Sequence, residues 1–417
     1  LEERPDVDFA FQAGLPERFL ERLRSADSSL PNIGDGGIET QGTARWQTNG
    51  LTLNLAGRFR DVRVDWPDQP TLRPLSGSYA LKLTDRALEV AGELAVGPVA
   101  VPYTVKAYPA EGAGQFSVAL DQVFSVPLFS GVLEDWDASF EMTAGSLQGS
   151  VQGRWTGAGS LQYEGALALN RGAARYGDYE ATGVDTSLKV SGVDARLVLS
   201  DGALGIASVD AGFPITHVRG RYRLEQNPVR GWLALHGFQA KLLGGNVRID
   251  EAHIDLESLS GDLPVVLDGL ALQELLALEG DDISGSGVLD GLLPVSVEQG
   301  AVRIRDGALS ARAPGGIIRI SDSFNAPTGQ PGLDFAIQAL ADFSYSELSA
   351  LVNYAPDGAL LLGVTLKGSN PAVENGRAIH YNLNVSEHIP SLFESLQADK
   401  LITDRVERKV ERLSLIH

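Results

Sequence analysis

The side chains best suited to bind a metal or move a proton near neutral pH are six histidines, His217, His236, His253, His380, His388 and His417. No two of them stand four residues apart and H-E-x-x-H is absent, so a packing or surface role is the simpler reading and no metal site is expected. Nucleophilic chemistry has no better start, because cysteine is absent and no G-x-S-x-G elbow occurs. Neither phosphate loop, G-x-x-x-x-G-K-[ST] or G-x-G-x-x-G after a strand, is present. The carboxylates number 54 and nothing singles out a pair for general acid and base. These residues predict no catalytic residue and no cofactor. Trp46, Trp66, Trp136, Trp155 and Trp232 offer a different chemistry, stacking on sugar rings. Alignment of Trp66, before Pro67, and Trp136, between Asp135 and Asp137, on one outer face would favour a polysaccharide or peptidoglycan binder.

The elements that would position such groups are strands. Runs such as Leu51 to Leu55, Tyr79 to Leu83, Ser187 to Val190, Arg196 to Leu199, Trp232 to Leu235, Asn246 to Ile249, Val302 to Arg305, Leu333 to Ile337 and Leu360 to Val364 alternate apolar and polar residues. The 47 glycines show no every-third-residue period and read as punctuation between runs. Asn49-Gly50, Asp201-Gly202, Asp306-Gly307 and Asp357-Gly358 read as hairpin turns. Gly315-Gly316 after Pro314 reads as a tight turn or bulge. Helical spacing is brief, over Leu15 to Leu23, Leu270 to Leu278 and Ser346 to Val352, and longer over Glu387 to Leu413. The division is a connecting segment over 1–45, a continuous sheet over 46–385 and an amphipathic helical tail over 386–417.

The formal charge of -20 disfavours nucleic acid and anionic lipid surfaces over most of the molecule. A chain without thiols is compatible with an oxidising compartment. It opens on Leu1 with no run of about 18 apolar residues, so an anchoring or targeting segment is expected to precede it. About thirty strands spaced ~4.8 Å apart would reach roughly 140 Å. So few helices cannot cover that sheet, which must close as a sandwich, wind as a solenoid or curl into an open gutter awaiting an apolar ligand.

Further residues favour the gutter. Ile283 to Val295, Ala301 to Leu309 and Pro314 to Arg319 resemble the C-terminal region of the YdbH proteins, a branch of the AsmA-like envelope proteins of Gram-negative bacteria. Leu243 to Arg248, Ala339 to Tyr345, Tyr354 to Gly358, Leu366 to Pro371 and Ser391 to Leu396 fit the same family, so the resemblance covers about residues 180 to 413. It implies an all-β fold, a long curled antiparallel sheet forming an elongated open gutter (β-taco) with a few short capping helices. It also implies a periplasmic bridge, anchored in the inner membrane, that carries phospholipid acyl chains to the outer membrane. A small outer-membrane lipoprotein of the YnbE type would dock by strand addition near the C-terminal end. A purely structural tether is the third class.

On this reading the lipid-groove candidates are the apolar members of the alternating runs: Leu188, Val190, Leu197, Leu199, Leu233, Leu235, Val247, Ile249, Val302, Ile304, Ile318, Ile320, Phe335, Ile337, Leu360, Leu362 and Val364. Partner-docking candidates are Tyr381, Leu383, Val385, Ile389, Leu392, Phe393 and Leu396. Lys189, Arg196, Arg248, Arg303, Arg305 and Arg319 fall on the opposite, solvated face.

Overall fold

The computed structural model describes residues 7–14, 32–34, 36–47, 50–65, 71–136, 139–177, 179–280, 282–321 and 331–388. The predicted helix at Leu15 to Leu23 and the terminal segment beyond His388 lie outside them. The fold is all-β, an open, curled antiparallel sheet with short helices. Contacts divide the chain into an N-terminal unit, residues 1–205 and 223–229, and a C-terminal unit, residues 206–222 and 230–417.

The N-terminal unit contains β1 (Val7–Gly14), β2 (Asn32–Gly34), β3 (Gly37–Gln47), β4 (Gly50–Asp65), β5 (Leu75–Leu83), β6 (Leu88–Val96), β7 (Val99–Tyr108), β8 (Ala113–Phe124), β9 (Phe140–Trp155), β10 (Leu161–Tyr176) and β11 (Tyr179–Val193). From β3 to β11 each strand pairs antiparallel with the next, β1 joins β3, and β2 joins the far end of β4. Its one described helix is the four-residue α1 (Phe129–Val132). The strands β12 (Arg196–Asp210) and β13 (Pro214–Gln226) divide between the two units.

In the C-terminal unit the strands are β14 (Gly231–Leu242), β15 (Gly245–Asp255), β16 (Ser260–Ala271), β17 (Ile283–Gly285), β18 (Val288–Glu298), β19 (Ala301–Ala311), β20 (Gly316–Ile320), β21 (Phe343–Tyr354), β22 (Ala359–Ser369) and β23 (Ile379–His388). The antiparallel order runs β14, β15, β16, β18, β19, β21, β22, β23, and β17 pairs β20, which also flanks β21. Two helices interrupt it, α2 (Leu272–Leu276), where the sequence predicts one, and α3 (Pro331–Leu340).

The strands bend at bulges, and the bulges share a construction. Asp61 on β4 (φ 54°), Arg171 on β10 (φ 50°), Gly269 on β16 (φ 76°) and Asp306 on β19 (φ 54°) sit in the left-handed region where the strand register shifts. Such a residue turns its N–H out of the ladder, and an unpaired amide is costly. A short polar side chain on the next strand accepts each one: Ser76 Oγ at 3.1 Å, Asp185 Oδ1 at 2.8 Å, Asp290 Oδ1 at 2.9 Å and Asn353 Oδ1 at 3.0 Å, in the same order. Asp185→Ala is therefore expected to lower stability by about 1–2 kcal/mol in urea unfolding, whereas Asp185→Asn, which keeps an acceptor, stays within about 0.5 kcal/mol.

Several local expectations are corrected here. Asp201-Gly202 and Asp306-Gly307 are not hairpin turns; they lie inside β12 and β19, with Asp201 and Asp306 at bulge dihedrals. Reading each as a turn splits one long strand into two, and 23 strands are found among the described residues, not about thirty. Asp357-Gly358 does join β21 to β22. Ser346 to Val352 is strand, not helix: the bulge after Tyr345 moves the next buried residue to Leu348, and that three-residue step imitates a helical period. Leu333 to Ile337 is helix α3, not strand; Pro331 is suited to a first helical turn and Leu333, Ile337 and Leu340 recur at helical spacing. Glycines are not only punctuation, since Gly57, Gly77, Gly92, Gly114, Gly153 and Gly192 lie inside strands.

Candidate functional site

Strand register in the N-terminal unit arranges the apolar side chains in level rows. Leu55, Leu81, Val90, Val105, Phe116, Gly153, Tyr163 and Gly192 are successive cross-strand partners from β4 to β11. The next row on the same face is Gly57, Tyr79, Gly92, Tyr103, Val118, Val151, Gly165 and Val190. Most members are half-buried, Val190 being the buried exception at 9% exposure. Side chains of the alternate rows are largely exposed. Among the described residues of this unit the large buried apolar side chains other than Val190 are Val62, Phe124, Met142 and Val184, at the level of the bulges. The only helix among the described residues of this unit, α1, is too short to cover the rows between.

Large side chains on this face lie flat across glycines. A Cβ on Gly153 would stand 2.4 Å from Phe116 Cε1, on Gly77 2.7 Å from Phe59 Cζ, on Gly57 2.7 Å from Tyr79 Oη, and on Gly114 2.2 Å from Trp155 Cζ2. In each pair ring and glycine are direct cross-strand partners. The ring lying over its neighbour's bare backbone covers the peptide and keeps the layer thin. Tyr79 also fixes its ring by donating from Oη to Thr40 Oγ1 at 2.7 Å.

The C-terminal unit treats its apolar face differently. Leu267, Leu270, Leu289, Phe343, Tyr345, Leu348 and Leu366 form a buried core with Leu272 of α2 and Leu340 of α3. Phe343 is 0% exposed and Leu289 2%. Tyr345 crosses the unit to donate from Oη to the Ser286 carbonyl at 2.8 Å, and burial pushes its phenol up. The C-terminal unit thus encloses its face around α2 and α3, while Leu233, Leu235, Phe238 and Ile249 outside that core stay half-buried like the rows of the N-terminal unit.

The sequence-derived positions distribute accordingly. Leu188, paired with Leu167, and Val190, paired with Gly165, belong to the accessible rows. Leu197 and Leu199 on β12 are half-buried, as are Leu233 and Leu235 on β14 and Ile249 on β15. Val247, Ile318, Ile320, Val364, Tyr381 and Leu383 pack against the C-terminal core. Ile304, Leu360 and Leu362 are half-buried, Val302 is 42% and Val385 44% exposed, and Phe335 and Ile337 sit on α3. Ile389, Leu392, Phe393 and Leu396 lie outside the described residues.

The opposite face is charged and internally paired. Lys189 meets Asp201 at 2.8 Å, Arg196 meets Glu225 at 3.1 Å, Arg248 meets Asp250 at 2.8 Å and Arg319 meets Asp342 at 2.8 Å, while Arg303 and Arg305 share Glu298. Arg312 bridges Asp268 and Asp290, and with its guanidinium and the Gly269 amide beside it the Asp290 carboxyl is held low. A trough of about 1220 Å³ crosses the N-terminal unit. All eight members of the Leu55 row line it, together with polar neighbours such as Lys82, Gln152, Arg196 and Arg223, and neither apolar row beside the Leu55 row contributes.

The histidines are less dispersed than their spacing suggests. Cross-strand register brings His236 within 6.3 Å of His253, ring centre to ring centre, and Glu251 Oε1 lies 4.0 Å and 3.9 Å from the two. Those separations are nonbonded, and no group of three His, Cys, Asp or Glu fit for a metal occurs among the described residues. Of the tryptophans, Trp136 stacks on Phe129 at 4.8 Å and donates to the Phe140 carbonyl, Trp155 covers Gly114, and Trp232 packs beside His253. Trp66 and the Trp46 side chain lie outside the described residues. No helix among the described residues is long and apolar enough to cross a membrane.

A family described as YdbH-like, intermembrane phospholipid transport protein YdbH, matches residues 128–411, beginning earlier in the chain than the motifs from about residue 180. No curated protein and no solved structure matches the chain. The matched span covers well over half the sequence and runs from α1 past the last described strand. An open all-β sheet with an accessible apolar face is what moving a lipid between membranes requires of a protein, and the chain belongs to the YdbH-like family of intermembrane phospholipid transport proteins.

Proposed function

We propose that this chain is a length of periplasmic bridge, along whose apolar face phospholipid acyl chains pass between the inner and outer membranes in outer-membrane lipid homeostasis. The observation that carries the reading is the pair of half-buried apolar rows through β4 to β11, continuous in register and left accessible. Bringing an acyl chain of ~16 carbons into water costs about 12 kcal/mol at ~0.8 kcal/mol per methylene. Only an apolar track without gaps offsets that along its whole path, and apolar surface of this extent on a water-exposed protein marks a binding face. An N-terminal segment would anchor the bridge in the inner membrane.

A photo-crosslinking residue at Leu81 or Leu188, with a control at the exposed Arg58 of an alternate row, tests the reading. Phospholipid crosslinked at the first two and absent at the third is expected. Equal labelling at all three, or none at any, would defeat it.

The partner end belongs to the same reading. β23 pairs with β22 and with no further strand among the described residues, so its other edge offers backbone groups to an added strand. A small outer-membrane lipoprotein of the YnbE type is the proposed occupant. A crosslinker at Val385 is expected to capture it and one at Leu361 is not; the reverse pattern would place the partner elsewhere.

A further inference from the structure

Glycine inside a strand ordinarily weakens it, yet the apolar face repeats ring over glycine on neighbouring strands. Backbone conformation does not demand these glycines: Gly57, Gly77, Gly114, Gly153, Gly192 and Gly220 are not among the positive-φ residues. At Gly57 and Gly77 an added Cβ would first meet a backbone carbonyl, that of Glu39 and of Glu93, whereas at Gly153 and Gly220 it would first meet a ring. At Gly220 on β13 the three nearest atoms to an added Cβ all belong to the Phe238 ring, at 2.5, 2.5 and 2.7 Å. At Gly153 the two nearest belong to Phe116, at 2.4 and 2.7 Å, and the third is the Gln162 carbonyl at 2.9 Å. Any methyl there must lift the ring off the sheet, into the space above the face.

We infer that the ring-on-glycine pairs, Phe116 with Gly153 and Phe238 with Gly220 foremost, are positioning residues that set the clearance over the apolar face and so admit an extended acyl chain. The inference rests on the proposed acyl-chain path and adds to it which residues control passage. Side chains pointing into a shared track consume its depth, and a ring lying at van der Waals distance from bare backbone, ~3.5–4 Å, consumes the least that an aromatic group can. A layer of aromatic side chains gives the lipid a stiff surface with few rotamers to freeze. The glycine keeps that layer flat. The same pairing occurs in both units, as a rule governing clearance requires and an isolated packing accident does not.

The absence of cysteine makes the test direct, because a single introduced thiol is the only one labelled. Val105→Cys, beside Phe116 in its row, and Ile249→Cys, paired with Phe238, are labelled with methyl and with hexadecyl methanethiosulfonate. Gly153→Ala is expected to slow the long reagent at least tenfold at Val105→Cys while the methyl reagent keeps its rate. Gly220→Ala should do the same at Ile249→Cys. Removing the lifted ring, in Phe116→Ala with Gly153→Ala and in Phe238→Ala with Gly220→Ala, should restore the long reagent. A stabilising role alone predicts that the double variants melt lower and that both reagents gain access together. Unchanged hexadecyl labelling in the glycine variants, with melting temperatures like the parent, would overturn the inference, as would double variants that stay slow. Phospholipid crosslinking at Leu81 in the parent is read separately, so a chain that discriminates reagents by length yet holds no lipid would keep the clearance rule and discard the transport reading.

Discussion

Phe343→Ala is expected to destabilise the C-terminal unit by about 3–5 kcal/mol, while Leu81→Ala and Val90→Ala cost the N-terminal unit about 1 kcal/mol each. The difference follows from what lies over each side chain. Phe343 is fully enclosed in the core that contains Leu272 of α2 and Leu340 of α3, with Tyr381 5.9 Å away ring to ring, so truncation removes apolar contact and leaves a cavity. Leu81 and Val90 are half-buried partners in a row with little above them; truncation removes only lateral contact and leaves no cavity. Urea unfolding with hydrogen exchange read separately at β21 and at β5 and β6 measures both. Addition of a short-chain phospholipid should raise protection at β5 and β6 and leave β21 unchanged, because a ligand stabilises only the state it binds. A loss of 3 kcal/mol at Leu81→Ala would mean that the N-terminal face is packed shut, and the structural tether would then be the better account.

The alternation that specifies one apolar face is local, so the strands at Leu51 to Leu55, Tyr79 to Leu83 and Ser187 to Val190 are legible in the sequence, but the groove candidates begin at Leu188 and leave out Leu55 and Leu81. What covers that face is not local. The accessible Leu188 and the core-packed Val364 carry the same pattern, and only the long-range arrival of α2 and α3 distinguishes them. Bulges defeat the pattern from within: after Tyr345 one added residue shifts the buried set by one, and Leu348 then reads as helix. Asp201 and Asp306 mislead for a related reason, since an Asp-Gly pair accepts a left-handed φ equally in a hairpin turn and in a bulge. The distinguishing signal for Asp306 is an acceptor on another strand, Asn353, which no window of neighbouring residues contains. The glycine pairs were invisible for the same cause, because Gly153 and Phe116 are 37 positions apart and become partners only through register.

Glu141→Ala is expected to cost about 2–5 kcal/mol at pH 7 and to remove this group's share of the pH dependence of stability. Glu141 is 2% exposed on β9. Its Oε1 accepts the Phe129 amide at 2.6 Å and the Met142 amide at 3.1 Å, and its Oε2 accepts the Ser130 amide at 2.9 Å. Burial alone would push the carboxyl up, but these donors, with the Ser130 hydroxyl, outweigh it and hold the group below its ordinary value. A folded-state value below the unfolded one, about 4.3, makes the contribution fully present above that pH and lost as pH falls through the folded value. The wild type should therefore lose stability relative to Glu141→Gln as pH is lowered from 5 to 3, while Glu141→Gln, keeping one acceptor, sits about 1–2 kcal/mol below it at pH 7. Parallel stability curves for the two proteins across that range would refute the carboxylate's role. The segment held this way runs past the Gly97-Pro98 turn to residues 71–73, where Arg73 N donates to the Val132 carbonyl, Glu134 N donates to the Thr71 carbonyl and Leu72 bridges Leu133. It crosses the ends of β5 to β8, so releasing it should fray that rim first, and hydrogen exchange at the Leu75 end of β5 should rise while the Leu83 end keeps its protection. A one-layer sheet that leaves its apolar face accessible has no second layer to hold its strand ends, and a buried carboxylate gathering three amides supplies that restraint at the rim without covering the face.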